Sequence, residues 1–169
     1  MNHITMLFLC RDRWLKPHLG PWFRLLVWSG FFFPAAACLT AATYGQQVVA
    51  AVLLAEARGE GAQGMMACAE VIRQRADSRR VSMLAVVKPG AFSSLNQTTP
   101  QKLLSQFQNH PLFPKALEIS RLAYNEPWKL HGLTQGANHF THRREKPYWA
   151  IGHVPVVTIG SHAFYRLPG

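Results

Sequence analysis

The stretch Ala55-Glu56-Ala57-Arg58-Gly59-Glu60-Gly61 gathers two carboxylates, a guanidinium and two glycines at the end of an uncharged run. Val48 to Leu54 carry no charge. A helix through them holds Glu56 against apolar packing, an environment that favours the protonated carboxyl. Such a group can hand a proton to a leaving oxygen, which makes Glu56 a candidate general acid. The same residues also read as a solvated helix end whose last turn is decorated by Glu56, Arg58 and Glu60, and spacing alone fits either reading.

Glycosidic cleavage needs an acid and, in ordinary hydrolases, a second carboxylate about 5 to 9 Å away. Beyond residue 45 the acids are Glu56, Glu60, Glu70, Asp77, Glu118, Glu126 and Glu145. Only Glu60 is close to Glu56 in sequence, and it follows Gly59, where the helix is expected to end, so a shared face does not follow. A mechanism with one glutamate, acid first and base second, suits this shortage.

The elements that must position these groups are mostly helical. Tyr44 to Arg58 reads as a helix on Val48, Val49, Val52 and Leu53, with Gly59 suited to its cap. Ala62 to Ala76 reads as a second, apolar at Met65, Met66, Cys68, Ala69 and Ile72, and Gly59, Gly61 and Gly64 form a bend poor in side chains between them. Gln101 to Gln108 and Leu112 to Tyr124 read as further helices. After Asn125 the composition turns to Pro, Gly, His and aromatics, and Val156 to Gly160 with His162 to Tyr165 predicts a small hairpin or ribbon. The expected fold is mainly α with a small β-ribbon.

The formal net charge is +10. Residues 1–45 hold four basic side chains (Arg11, Arg13, Lys16, Arg24) and one acid (Asp12), which leaves 14 basic and 7 acidic residues, or +7, for the remainder. Such a surface attracts anionic polymers. No helix-turn-helix, RNP motif or zinc-finger spacing points to nucleic acid. Cys10 and Cys38 precede the domain and Cys68 stands by itself inside it, so no disulfide framework forms there and Cys68 reads as a small buried hydrophobe. A basic segment ending in Trp22-Phe23-Arg24, then 19 uncharged residues from Leu25 to Thr43, has the grammar of an export signal or signal anchor over residues 1–42. Residues 43–169 are then a catalytic domain outside the cytoplasmic membrane, touching the membrane only through the N-terminal segment.

Several separated blocks carry a resemblance: the Ala55–Glu60 block with Gln63 and Gly64, Val71-Ile72-Arg73-Gln74-Arg75, Lys88-Pro89-Gly90-Ala91-Phe92-Ser93, Ala137-Asn138-His139-Phe140, Pro147-Tyr148-Trp149-Ala150 and Ile159-Gly160-Ser161-His162-Ala163-Phe164-Tyr165. Together, over residues 46 to 166, the chain resembles the cell wall hydrolase family of the spore cortex-lytic (SleB and CwlJ) type. The resemblance implies a compact lysozyme-like domain that cleaves peptidoglycan glycan strands without a cofactor or metal. It implies lytic transglycosylation with Glu56 catalytic, and places Phe92 and Ser93 at the cleft. Arg58, Glu60, His139, Phe140, Tyr148 and Trp149 are candidate substrate-binding residues, rings for sugar faces and the guanidinium for carboxylates. Asn138 and Phe140 depart from the threonine and tyrosine of the family's motif.

Two rivals come from other classes. A metal-dependent wall amidase or peptidase would draw on His139, His142, His153 and His162, although no His-Glu-x-x-His is present. A non-catalytic basic wall-binding module would need none of the acids. The N-terminal reading is checked by N-terminal sequencing of the protein from its native cell envelope: a mature start near residue 38 to 43, or a membrane-held full chain, is expected, and an intact Met1 in a soluble cytosolic fraction contradicts it.

Overall fold

A computed structural model describes residues 41–130 and 132–168. The expected export segment therefore lies outside the described residues except for Ala41 and Ala42. Among the described residues no helix is long and apolar enough to cross a membrane.

Helix α1 (Tyr44–Ala57) starts at Thr43, whose hydroxyl accepts the Gln46 N–H while the Gln46 side chain accepts the Thr43 N–H. This reciprocal cap fixes where the helix begins. Val48 to Leu54 are completely buried on every side, the pattern of a helix that runs through a core rather than along its surface. It is packed by α2 (Gly61–Arg79), α3 (Met83–Val86), α4 (Pro100–Phe107) and α5 (Phe113–Asn125). The Ser120 hydroxyl of α5 donates to the Gln46 carbonyl at 2.8 Å, so a buried polar group on that face is satisfied. Cys68, on α2, is buried among these apolar side chains and burial pushes its thiol pKa up, which leaves it inert.

The bend after α1 differs from the expectation. Gly59 has open space and no left-handed backbone; Arg58–Glu60 is a 3-10 turn, and the positive φ of 66° belongs to Gly61. The helix tightens before it breaks, so α2 begins at Gly61. α2 ends at Arg79, three residues beyond the expected Ala76, with Arg80 in the left-handed cap conformation.

The expected ribbon is a three-stranded antiparallel sheet in the order β1-β3-β2, from His139–His142, Val157–Ile159 and His162–Tyr165. β2 and β3 form the hairpin, turning at Gly160-Ser161, and β1 adds to the outer edge of β3 with His139 opposite Tyr165. Ala137, Ile159 and Phe164 pack on Ala67 and Val71 of α2, which joins the sheet to the helices. Arg75 reinforces the joint: its Nε donates to the Asn138 carbonyl at 2.6 Å and a terminal nitrogen to the Ala91 carbonyl at 3.1 Å.

Leu53 has no exposed surface, and truncating such a side chain removes transfer energy and leaves a cavity. Leu53→Ala is expected to cost about 2–5 kcal/mol in denaturant unfolding; a loss under about 1 kcal/mol contradicts the reading of α1 as the helix that the others enclose.

Candidate active site

Glu56 sits where α1 leaves the core, half-buried. The apolar run brings it there, yet its carboxylate meets hydrogen-bond donors: the Ser94 N–H at 3.1 Å and the Ser93 hydroxyl at 3.4 Å. Both serines belong to the 3-10 turn Ser93–Leu95, anchored by buried Leu95 and Phe92 on either side. The Gly90 N–H donates to Asn96 Oδ1 at 3.1 Å and closes the same loop. Helix and loop thus hold one carboxylate from two directions.

Glu60 is held more completely. Its Oε2 accepts the Ser161 N–H at 2.8 Å and its Oε1 accepts the Ser161 hydroxyl in a very short contact. A Cβ on Gly64 would overlap the Glu60 stem, and one on Gly160 would overlap its Oε2, at a φ of 58° that side chains seldom adopt. Two glycines therefore make room for this side chain and Ser161 clasps its end. The two Ser161 hydrogen bonds, the hydroxyl first, hold the Glu60 pKa below the ordinary carboxylate value against the opposing effect of desolvation, with smaller help from His162 and His142. Glu60 stays ionised at neutral pH.

Both glutamates line one cleft of about 890 Å³ between the α1–α2 junction, the Gly90–Asn96 loop and the sheet. Ser93, Arg58, His139, Phe140, Tyr148 and Trp149 are on its walls. Arg58 also donates to the Leu54 carbonyl at 3.4 Å and lies over the Phe107 ring. His139 is fixed by Asn138 Oδ1 at 2.9 Å and by the Trp149 ring, which in turn packs edge-on to Tyr165. Tyr148 is 86 % exposed and free to meet a ligand. Phe92 differs from the expectation: it is 4 % exposed, absent from the cleft wall, and supports the Arg75 guanidinium 5.1 Å above its ring. The reason is the turn that starts at residue 93, which sends Ser93 to the cleft and the Phe92 ring into the core.

The structure adds Ser161, Thr141, Glu145 and the helix arginines Arg75 and Arg79 to the wall, and brings there His142 and His162, which the sequence had put forward only for a metal site. His162 is 8 % exposed, and its Nδ1 has no hydrogen-bond partner among the described residues. Burial, more than any neighbouring charge, lowers its pKa, so the ring is neutral at physiological pH. His139 is lowered too, by burial and then by Arg75 and Arg79. His153 is not on the wall, and among the described residues no group of three or more His, Cys, Asp or Glu is placed to hold a metal ion. Glu145 is exposed and accepts the Thr141 hydroxyl at 3.1 Å.

These shifts fix the pH response. His162 and His139 bind a proton more readily when unfolded, so stability starts to fall below the ordinary imidazole value of 6.5. Glu60 contributes stability that is present above 4.5 and is lost as pH falls through its lower folded value. Thermal melting followed from about pH 7.5 to 3 is expected to show both declines, and Glu60→Gln to remove the lower while keeping the upper. A melting temperature that stays flat across that range contradicts the assignment.

No curated protein and no solved structure gives a significant match to this chain. The sequence profile described as Cell Wall Hydrolase matches residues 59–165, more than half of the chain. The matched stretch takes in Glu60, Gly64, Gly160 and Ser161, and it begins three residues after Glu56. The match spans the greater part of the cleft's lining residues, and the chain belongs to the Cell Wall Hydrolase family.

Proposed function

We propose that the protein is a peptidoglycan-cleaving glycosidase, a lytic transglycosylase that cuts between muramic acid and glucosamine with Glu56 as both acid and base. Family membership supports peptidoglycan as the substrate and the cell envelope as the place of action. The observation that carries the finer reading is the unequal treatment of the two nearby carboxylates. Glu60 is clasped by Ser161 and kept ionised, which disqualifies it as a proton donor at neutral pH. Glu56 is oriented on the same cleft by one backbone N–H and one weak hydroxyl contact, and it remains open to a ligand.

In this reading the Glu56 carboxyl gives its proton to the glycosidic oxygen as the bond from that oxygen to muramoyl C1 breaks. The C1 centre takes on oxocarbenium character, and the fixed negative charge of Glu60 on the same wall favours it electrostatically. The muramoyl C6 hydroxyl then attacks C1, and its proton returns to the Glu56 carboxylate. A 1,6-anhydro end forms, a glucosamine 4-hydroxyl leaves, no water is consumed and the enzyme regains its starting protonation. Arg58 and Arg79 offer charge to lactyl or peptide carboxylates, and the Tyr148 and Trp149 rings offer faces to sugars.

Glu56→Gln keeps the hydrogen-bond geometry but cannot deliver a proton. It is expected to lower turnover on purified sacculi by about 10²–10⁴-fold at unchanged melting temperature, the range that positioned proton transfer contributes. Glu60→Gln should lose activity together with stability rather than by itself. Wild-type turnover in Glu56→Gln overturns the assignment.

A further inference from the structure

A second cavity, of about 410 Å³, lies on α2 away from the cleft, lined by Glu70, Arg73, Gln74 and Asp77 from the helix and by Trp128, Gln135 and neighbouring loop residues. With 3.6 residues per turn, Glu70, Arg73, Gln74 and Asp77 share one face of α2 and the cleft-lining Arg75 and Arg79 share the opposite one. The two cavities have no lining residue in common.

We propose that this groove is a second glycan site, which binds an N-acetylglucosamine unit of a wall strand against the Trp128 ring. The inference rests on peptidoglycan being the substrate. Three observations carry it. Trp128 is 65 % exposed on the groove wall, so its ring is open to a sugar face. Around it stand donors and acceptors of both kinds. The Gln74 and Gln135 amides are exposed and make no hydrogen bond among the described residues, and the Arg73–Asp77 pair offers a guanidinium edge and a carboxylate. Sugar hydroxyls and an acetamido group need that mixture.

The third observation is charge. The groove holds two carboxylates, Glu70 and Asp77, against one guanidinium on a domain whose remainder is strongly basic. The Glu70 carboxylate is occupied at both oxygens by the Gly132 and Thr134 N–H groups at 2.8 Å, which shapes the loop that carries Gln135. One excess carboxylate disfavours an anionic group at this place, so the part of a wall strand that fits here is the neutral N-acetylglucosamine unit, while the carboxylate-bearing units face the arginines elsewhere. Gly132 and Gly136, with φ of 90° and 76° and open space where a Cβ would stand, keep the groove floor bare. A strand held here as well as in the cleft dissociates more slowly than one held at a single site, which suits an enzyme acting on an insoluble polymer.

The test uses the full chain with Glu56→Gln, so that no sugar is consumed, titrated with chitotetraose while the tryptophan indole N–H signals are followed by NMR. Trp128→Ala identifies the signal; the side chain is mostly exposed, so the variant should fold. The Trp128 signal is expected to shift and saturate at millimolar sugar, and sulfated dextran, an anionic probe, is expected to leave it in place. In the same background Trp128→Ala should lower retention on sacculi several-fold at salt high enough to screen the basic surface, and Trp128→Phe should restore part of it. A Trp128 signal that ignores chitotetraose, or that follows the sulfated dextran instead, overturns the site, as does unchanged retention of Trp128→Ala. Binding is read without turnover, so the glycan site stands or falls independently of whether Glu56 is the acid.

Discussion

The Glu60 carboxylate caught by Ser161 is the contact on which the cleft depends. It ties the turn between α1 and α2 to the hairpin turn between β2 and β3, two segments 101 residues apart. Gly64 and Gly160 exist in their places because any side chain there would collide with the glutamate. The bond also explains why a charged residue can sit at an interface between helices and sheet: both oxygens have donors, one of them a backbone N–H, so the desolvation cost is offset locally. Without this clasp the sheet would rest on α2 through Ala137, Ile159 and Phe164 and through Arg75, which leaves the cleft wall free to drift.

The second constraint is the buried helix. α1 is enclosed by four helices, so its C-terminal end cannot shift, and Glu56 is carried on the last rigid turn. The serine loop approaches from the other side. A proton donor has to be held within tenths of an ångström of the bond it cleaves, and a side chain on a packed helix meets that demand better than one on a loop. Glu56 on the last turn of α1 and Glu60 on the 3-10 turn that follows are thus four residues apart and held differently, the first by the serine loop and the second by Ser161.

Much of this was legible in the residues because helices announce themselves through apolar spacing and through glycine and proline at their ends. α1, α2, α4 and α5 fall within a few residues of where the periodicity places them. β1 was hidden: His139-Phe140-Thr141-His142 lies in a stretch whose histidines, glycines and prolines read as loop, and it becomes a strand by pairing with β3, a contact made only in three dimensions. Phe92 was displaced by one position for a similar reason, since a turn at Ser93 decides which neighbour faces the cleft. Ser161 carried no chemical signal of its own. The clue was the glycine before it, in a hairpin turn, next to a short polar side chain. Gly59 was credited with the break that belongs to Gly61, because a 3-10 turn delays the end of the helix by a few residues.

The division of labour between Glu56 and Glu60 is tested most directly by the oxygen at the new chain end. Sacculi digested by the protein in water enriched in heavy oxygen, with the released fragments weighed by mass spectrometry, report whether water or the sugar's own hydroxyl attacked. The account predicts anhydro-muramoyl ends that carry no heavy oxygen, since Glu56 passes its proton out and back and Glu60 activates nothing. Reducing ends labelled with one heavy oxygen would mean that a second group had activated water, and the one-glutamate mechanism would be wrong.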